Sequence, residues 1–137
     1  MNEIYKGEGG CLCGTIRYKI NGVVLRKTNC HCIHCRKSTG APFVTWAVFN
    51  IADFSITSGT PNEHPSRKNA IRQFCGACGT QLTFFDKERP DSIDVTVCSL
   101  DDVESIEPDD NVWSKRKVSW LRLNDGLPQY QSGRDAE

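Results

Sequence analysis

The chain has 137 residues, of which 38% are hydrophobic, and its 17 Lys and Arg residues are matched by 17 Asp and Glu residues. This composition is that of a folded globular protein, and a net charge of zero argues against a nucleic-acid-binding protein, which usually has a basic excess. No segment approaches the roughly 20 apolar residues of a membrane-spanning helix, and residues 1–8 contain no apolar segment typical of a signal peptide. We therefore expect a single domain over residues 1–137, located in the cytoplasm, with neither a membrane nor a nucleic acid as partner. The oligomeric state stays open.

Short strands dominate the predicted secondary structure. Thr15–Ile20 alternates polar and apolar residues, as a half-buried strand does. Asn21-Gly22 is typical of the turn of a β-hairpin, with Val23–Leu25 starting the returning strand. The further predicted strands, in chain order, are Phe43–Phe49, Phe54–Thr57, Ala70–Phe74, Gln81–Phe85, Ile93–Val97 and a final pair that includes Val118–Leu123. The predicted fold class is therefore mostly β.

One short helix and two loops complete this prediction. Ile33–Thr39 can form one or two helical turns, which end at Gly40 with Pro42 just beyond. Residues 59–68 are predicted as a surface loop because they contain two prolines and several polar residues, and residues 101–111 as an acidic loop.

The cysteines carry the strongest functional signal, because seven of the eight have only one or two residues between them and another cysteine. Close pairs are typical of metal ligands, whereas disulfides tend to join distant segments. Cys11 and Cys13 can face the same side of an extended segment, and Cys75–Gly79 (CGACG) has the form of a zinc knuckle. Together these two pairs offer four thiolates, the usual complement of a closed structural zinc site. A redox-active pair at Cys75 and Cys78 is the alternative, but such pairs normally open a helix, and a strand is predicted here.

The middle motif, Cys30-x-Cys32-x-x-Cys35, offers three thiolates. Cys30 and Cys32 can share one face of an extended segment, and the following turn can bring Cys35 beside them. Three protein ligands leave zinc a fourth position for water or substrate, which is the pattern of a catalytic site. A fourth protein ligand would close the site instead, and the candidates are His31, His34, His64 and Cys98.

The residues around this motif allow two interpretations each. His31 lies between two cysteines of the same face, so it should point away from them in a regular strand. Cys98 follows a predicted strand and is expected to be a buried core thiol. Arg36 and Lys37 either lower the pKa of a nearby thiol or bind an anionic ligand, or they simply face solvent.

In combination, these motifs resemble the glutathione-dependent formaldehyde-activating family, which includes the centromere-protein-V-like proteins. The matching segments are residues 10–14, 30–41, 74–80, 99–102 and 120–130. The resemblance implies a β-tent fold of antiparallel sheets held together by zinc. It implies two zinc ions per chain, a structural one on Cys11, Cys13, Cys75 and Cys78 and a catalytic one on Cys30, Cys32 and Cys35.

The activity that this resemblance implies is that of a carbon–sulfur lyase. Glutathione, a small-molecule thiol substrate, adds reversibly to formaldehyde and gives S-hydroxymethylglutathione, with Cys32 as the catalytic residue linked to glutathione binding. The chain departs from the family where members often carry His-Ile-Trp, since it has Asn111-Val112-Trp113, and at Cys98, where a small residue is common. Two other hypotheses stay open: a non-catalytic, zinc-stabilised binding module, and a redox sensor that uses Cys32.

Overall fold

A computed structural model describes residues 3–67 and 69–133. Within these residues the chain forms mainly strands and one short α-helix, so the mostly-β prediction is confirmed. In chain order the elements are β1 (Ile4–Gly10), β2 (Arg17–Val23), β3 (Arg26–Cys30), α1 (Ile33–Thr39), β4 (Val44–Asn50), β5 (Phe54–Ser58), β6 (Asn62–Pro65), β7 (Ala70–Phe74), β8 (Gln81–Asp86), β9 (Ser92–Thr96) and β10 (Asp110–Val112).

The strands form two sheets that enclose the main core. The smaller sheet has the order β1-β2-β5, and the larger has the order β10-β3-β4-β9-β8-β7-β6. All named pairings are antiparallel except that of β10 with β3. Tyr18 and Ile20 of the smaller sheet pack with Phe49, Leu82 and Val95 of the larger one, and all five are fully buried. Two mainly antiparallel sheets with cysteine clusters that can hold zinc fit the β-tent expectation.

The interior strand β4 is buried on both faces over most of its length, which explains its largely apolar sequence. Ala47 and Phe49 belong to the core between the sheets. Val44 and Trp46 point to the opposite face, where they pack in a second apolar cluster with Cys30 and Cys35. This second face of the larger sheet positions the site described below.

The predicted hairpin turn at Asn21-Gly22 is wrong. Both residues lie inside β2, where Asn21 pairs with Lys6 and Gly22 with Tyr5 of β1. Gly22 permits a close approach, because a Cβ on it would lie 2.1 Å from Asp53 Oδ2. Local turn propensity is therefore outweighed by pairing with β1, a glycine-rich strand that propensity alone disfavours.

Three further predictions need correction. Val118–Leu123 forms no strand; the Leu121 N–H donates to the Val118 carbonyl oxygen in a turn instead. The predicted loop 59–68 contains the edge strand β6, whose residues are all exposed and so lack an apolar alternation, and Lys68 lies outside the described residues. The predicted acidic loop 101–111 ends in β10, where Asp110 and Asn111 are buried against β3.

The predicted helix is confirmed as α1. Cys32 is its N-cap, and its Sγ accepts a hydrogen bond from the Cys35 N–H at 3.4 Å. Gly40 ends the helix in the left-handed conformation, with φ 64°, which glycine adopts without strain. Within the part of the chain that the structure describes, no helix has the length and apolar character to cross a membrane.

Candidate metal centres and the adjoining pocket

The thiols of Cys11, Cys13, Cys75 and Cys78, hereafter the first cluster, converge with all sulfurs within 4.8 Å of one another. Cys13 Sγ lies 3.6 Å from Cys11 Sγ and 3.8 Å from Cys75 Sγ. Four sulfurs at about 2.3 Å from a tetrahedral zinc ion are about 3.8 Å apart. The donor set and its spacing therefore fit a zinc ion.

Two similar turns present these sulfurs. Gly14 and Gly79 each adopt φ 82°, and each N–H closes the turn on the carbonyl oxygen of Cys11 or Cys75, three or four residues earlier. Backbone N–H groups point at the sulfurs as well, since the Cys78 N–H donates to Cys75 Sγ at 3.4 Å. Such donors stabilise a thiolate and tune a bound metal.

The thiol of Cys78, in the first cluster, has a lowered pKa. The hydroxyl of Thr80, whose Oγ1 lies 3.3 Å from Cys78 Sγ, and the Thr80 backbone N–H lower the pKa of Cys78 to about 5. Cys78 is thus a thiolate at neutral pH, the form that a metal binds.

The thiols of Cys30, Cys32 and Cys35, hereafter the second cluster, also lie within 4.8 Å of one another. Cys30 is the last residue of β3, Cys32 is the N-cap of α1, and Cys35 lies in the first turn of that helix. Hydrogen bonds from Cys30 and Cys35 lower the pKa of Cys32, whereas the contacts with Cys32 and Cys35, together with burial, raise that of Cys30. Negative charge is therefore concentrated on Cys32, the least buried of the three.

The proposed fourth ligands do not join this group among the described residues. His31 is fully buried and points away from the sulfurs, as predicted; its Nε2 lies 2.9 Å from Asn111 Oδ1 of β10. Burial lowers its pKa. The exposed His64 lies on the edge strand β6, and Cys98 is exposed, so the expectation of a buried core thiol is wrong. Cys98 lies in a 3-10 turn after β9, where the alternation of the strand no longer holds.

A cavity of about 390 Å³ opens beside the second cluster and is lined by all three of its cysteines. We call it the arginine pocket, because five arginines line it: Arg26, Arg67, Arg72, Arg89 and Arg116. The one acid among its described lining residues is Asp94. Such an excess of positive charge favours an anionic ligand, and the volume is within the usual range for a small-molecule site.

The register of the larger sheet builds one wall of this pocket. Arg26 pairs with Val48, Val48 with Asp94, Asp94 with Phe84, and Phe84 with Arg72, so one row crosses five strands from β3 to β7. Paired residues on adjacent strands point to the same face. Arg72 is almost fully buried, with its guanidinium carbon 4.9 Å from the centre of the Phe84 ring.

The chain is similar in sequence and in fold to known proteins. Residues 6–116 match the family described as glutathione-dependent formaldehyde-activating enzyme. The chain belongs to this family. One relative is an uncharacterized lyase of Schizosaccharomyces pombe (strain 972 / ATCC 24843), which is 32% identical to this chain over 77 residues. These residues make up 56% of each chain, so the match spans about half the length of that relative. A Rhodobacter sphaeroides protein of known crystal structure has the same fold, with a TM-score of 0.57 and 18% identity over 89% of this chain and 98% of that one.

Membership of the glutathione-dependent formaldehyde-activating family confirms the resemblance inferred from the cysteine motifs. It supports a lyase of this general type. The five arginines and Asp94 of the arginine pocket were not singled out from the sequence. Arg26 could have been found from the sequence, because Cys30, Thr28 and Arg26 alternate along β3 and so share one face. Asp94 and Arg72 join the wall only through the register of the sheet. Arg36 and Lys37, the cations considered from sequence, do not line the pocket.

Proposed function

We propose that this chain is a zinc-dependent carbon–sulfur lyase that joins glutathione reversibly to formaldehyde and forms S-hydroxymethylglutathione. The observation that carries the proposal is a three-thiol cluster that opens on an arginine-lined pocket. Glutathione has one thiol and two carboxylates, which suit these two features. Family membership and the lyase relative support the same reaction class.

The two clusters are assigned different roles. In this proposal Cys11, Cys13, Cys75 and Cys78 hold a structural zinc, because four sulfurs complete a tetrahedral shell. The second cluster, Cys30, Cys32 and Cys35, would hold a second zinc through three thiolates, one ligand fewer than a closed site has. Zinc in that cluster favours the thiolate form of a bound thiol near neutral pH.

The residues of the pocket orient the reactants. Arg26 and Arg72 offer guanidinium groups to the carboxylates of glutathione, and the Trp46 and Phe84 rings form an apolar wall that excludes water. The glutathione thiolate adds to the formaldehyde carbon and forms the carbon–sulfur bond. The carbonyl electron pair moves to oxygen, which takes up a proton equivalent to the one the thiol released. We assign Cys32 as the catalytic residue because it is the least buried thiol of the cluster and lines the pocket.

Exchange NMR spectroscopy tests the activity directly. Zinc-loaded protein should accelerate the exchange between formaldehyde, glutathione and their adduct above the spontaneous rate. Cys32→Ser should abolish the acceleration, while Cys98→Ser, outside both clusters, should retain it. Spontaneous exchange rates with the fully zinc-loaded wild-type protein would rule out the formaldehyde reaction.

Metal analysis separates this proposal from its two alternatives. We expect two zinc ions per chain, with X-ray absorption showing one non-cysteine or exogenous ligand at the second cluster. Four protein ligands at both sites would favour a non-catalytic binding module in which zinc only stabilises the fold. Loss of free thiols under mild oxidant, with Cys32 entering a disulfide, would favour a redox sensor.

Compartment and domain organisation follow as part of the proposal. Thiolate metal sites are stable where thiols stay reduced, as in the cytoplasm. The first cluster ties residues 11–13 to residues 75–78, and β10 pairs with β3, so we propose one domain over residues 1–137. Limited proteolysis that released a stable fragment would contradict a single domain.

A further inference from the structure

Asp94 is the one acid among the described residues that line the arginine pocket, where the charged side chains besides it are five arginines. It lies in the middle of the cross-sheet row, two strands from Arg26 and two from Arg72. The negative charge of Asp94 weakens the attraction of the pocket for carboxylates. Anion binding alone therefore does not explain an acid at this position.

The Asp94 carboxylate is open to the pocket rather than bound to a neighbour. No arginine or lysine nitrogen of the described residues lies within 4.0 Å of it, and the ion pairs formed elsewhere involve other acids. In the same row, Arg26 Nε is buried without a hydrogen-bond partner among the described residues. An acceptor and a donor are thus left unsatisfied on one wall, which suits a ligand that brings the opposite group to each.

The electrostatic surroundings keep Asp94 able to bind a cation. Burial raises its pKa to about 6, and Arg89, Arg26 and Arg72 oppose this rise, while Asp86 adds to it. The carboxyl is therefore mainly ionised at neutral pH. Because Asp94 forms no ion pair with a described residue, the ammonium group of a ligand would be its direct ionic partner.

The row of Arg26 and Asp94 lies well away from the second cluster, which favours a thiol whose ammonium group is far from its sulfur. Cys30 and Arg26 are four residues apart on β3, a run of about 13 Å along the strand. In glutathione, the thiol sulfur and the α-ammonium of the γ-glutamyl group are separated by about eight bonds, or roughly 10 Å when extended. In free cysteine the ammonium is only three bonds from the sulfur, too close to reach the row from the cluster.

We propose that Asp94 and Arg26 form a recognition site for a free α-amino acid head group at the far end of the thiol substrate. Asp94 binds the ammonium and Arg26 the adjacent carboxylate, which makes Asp94 a specificity-determining residue. Asp94 would then discriminate between thiols with a free γ-glutamyl head group and thiols that lack its ammonium charge. This inference rests on the proposed function for the position of the sulfur at the second cluster.

Calorimetry with a set of thiols tests this selectivity. Zinc-loaded protein is titrated with glutathione, γ-glutamylcysteine, cysteinylglycine and N-acetylglutathione, which lacks the ammonium charge. The wild-type protein should bind the first two at least about tenfold more tightly than the last two, as expected for a charge-assisted hydrogen bond. Asp94→Asn should weaken glutathione binding by a similar factor and leave N-acetylglutathione binding within about twofold. Asp101→Asn, which removes an exposed acid paired with Arg17 outside the pocket, is the control and should change neither.

Two results would overturn the inference. Equal binding of glutathione and N-acetylglutathione to the wild-type protein would show that the ammonium is not recognised. If Asp94→Asn weakened the binding of glutathione and of N-acetylglutathione equally, Asp94 would only position the arginine side chains. The proposed reaction fails separately: if this thiol discrimination is present but formaldehyde exchange is not accelerated, the recognition site stands and the lyase activity does not.

Discussion

The indole Nε1 of Trp46 donates a hydrogen bond to Cys35 Sγ over 3.4 Å. This bond joins β4, an interior strand of the larger sheet, to the second cluster. A donor to a ligating sulfur withdraws charge from it and fixes its orientation, so residues outside the coordination shell influence metal affinity.

Trp46→Phe should therefore weaken metal binding at the second cluster. We expect about a tenfold loss or more at that site, in line with other changes to residues behind metal ligands, and no change at the first cluster. Chelator competition, with release of the two ions followed separately, measures this. Trp113→Phe is the control, since this other indole of the pocket has no hydrogen bond to a cysteine within the described structure. Equal affinity in both variants would contradict a role for the indole.

Removing a ligand should have different effects at the two clusters. Cys78→Ser should strongly destabilise the fold, because the first cluster joins distant segments and structural zinc contributes folding free energy. Cys32→Ser should leave the melting temperature nearly unchanged and remove activity. Thermal melts of both variants by circular dichroism provide the comparison. Similar melting temperatures would refute the division into a structural and a catalytic site.

The place of Gly22 inside a strand predicts a specific steric effect. Gly22→Ala should reduce the free energy of unfolding by about 1–3 kcal/mol, because the new methyl group meets the Asp53 side chain. In an Asp53→Gly background the same change should cost much less. Urea titrations of the four proteins form a double-mutant cycle. A cost independent of Asp53 would mean that backbone conformation, not contact, requires the glycine.

Stability should respond to pH through Asp94. Burial raises the pKa of Asp94 to about 6, above the unfolded value of about 3.9, so the folded carboxyl binds its proton more tightly. Protonation therefore favours folding as the pH falls through 6. The unfolding free energy of the wild-type protein, relative to Asp94→Asn, should rise between pH 7 and pH 5.

Asp101→Asn is the control for that measurement. Hydrogen bonding from Arg17 lowers the pKa of Asp101, so its contribution is present above about pH 4 and is lost only as the pH falls further. The difference between wild type and Asp101→Asn should stay flat from pH 7 to pH 5. Urea titrations at both pH values test the pair, and a flat Asp94→Asn difference would contradict the assignment.

The exposure of Cys98 predicts selective thiol reactivity. In zinc-loaded protein Cys98 should react first with a thiol reagent such as DTNB, because the other seven sulfurs are grouped as metal ligands in our proposal. Cys98→Ser should remove this fast phase. Chelation should then make further thiols reactive. A fast phase that persists in Cys98→Ser would show that a cluster cysteine is free.

Strand and helix positions with strong local signals could be predicted from the sequence. The apolar segment of β4 and the helix ending at Gly40 both follow from the residues themselves, because burial on both faces and a left-handed glycine cap leave direct marks. The strand β1 could not be predicted, since its glycines have low strand propensity and only pairing with β2 holds it.

The spacing of the cysteines by itself determined which sulfurs share a turn, because a turn of two or three residues has few possible shapes. Only the tertiary structure brings Cys13 to within 3.8 Å of Cys75, 62 residues away. The tertiary structure alone also decides what faces the second cluster. Arg26, Asp94 and Arg72 come from separate strands, and they form one wall because hydrogen-bond register aligns them.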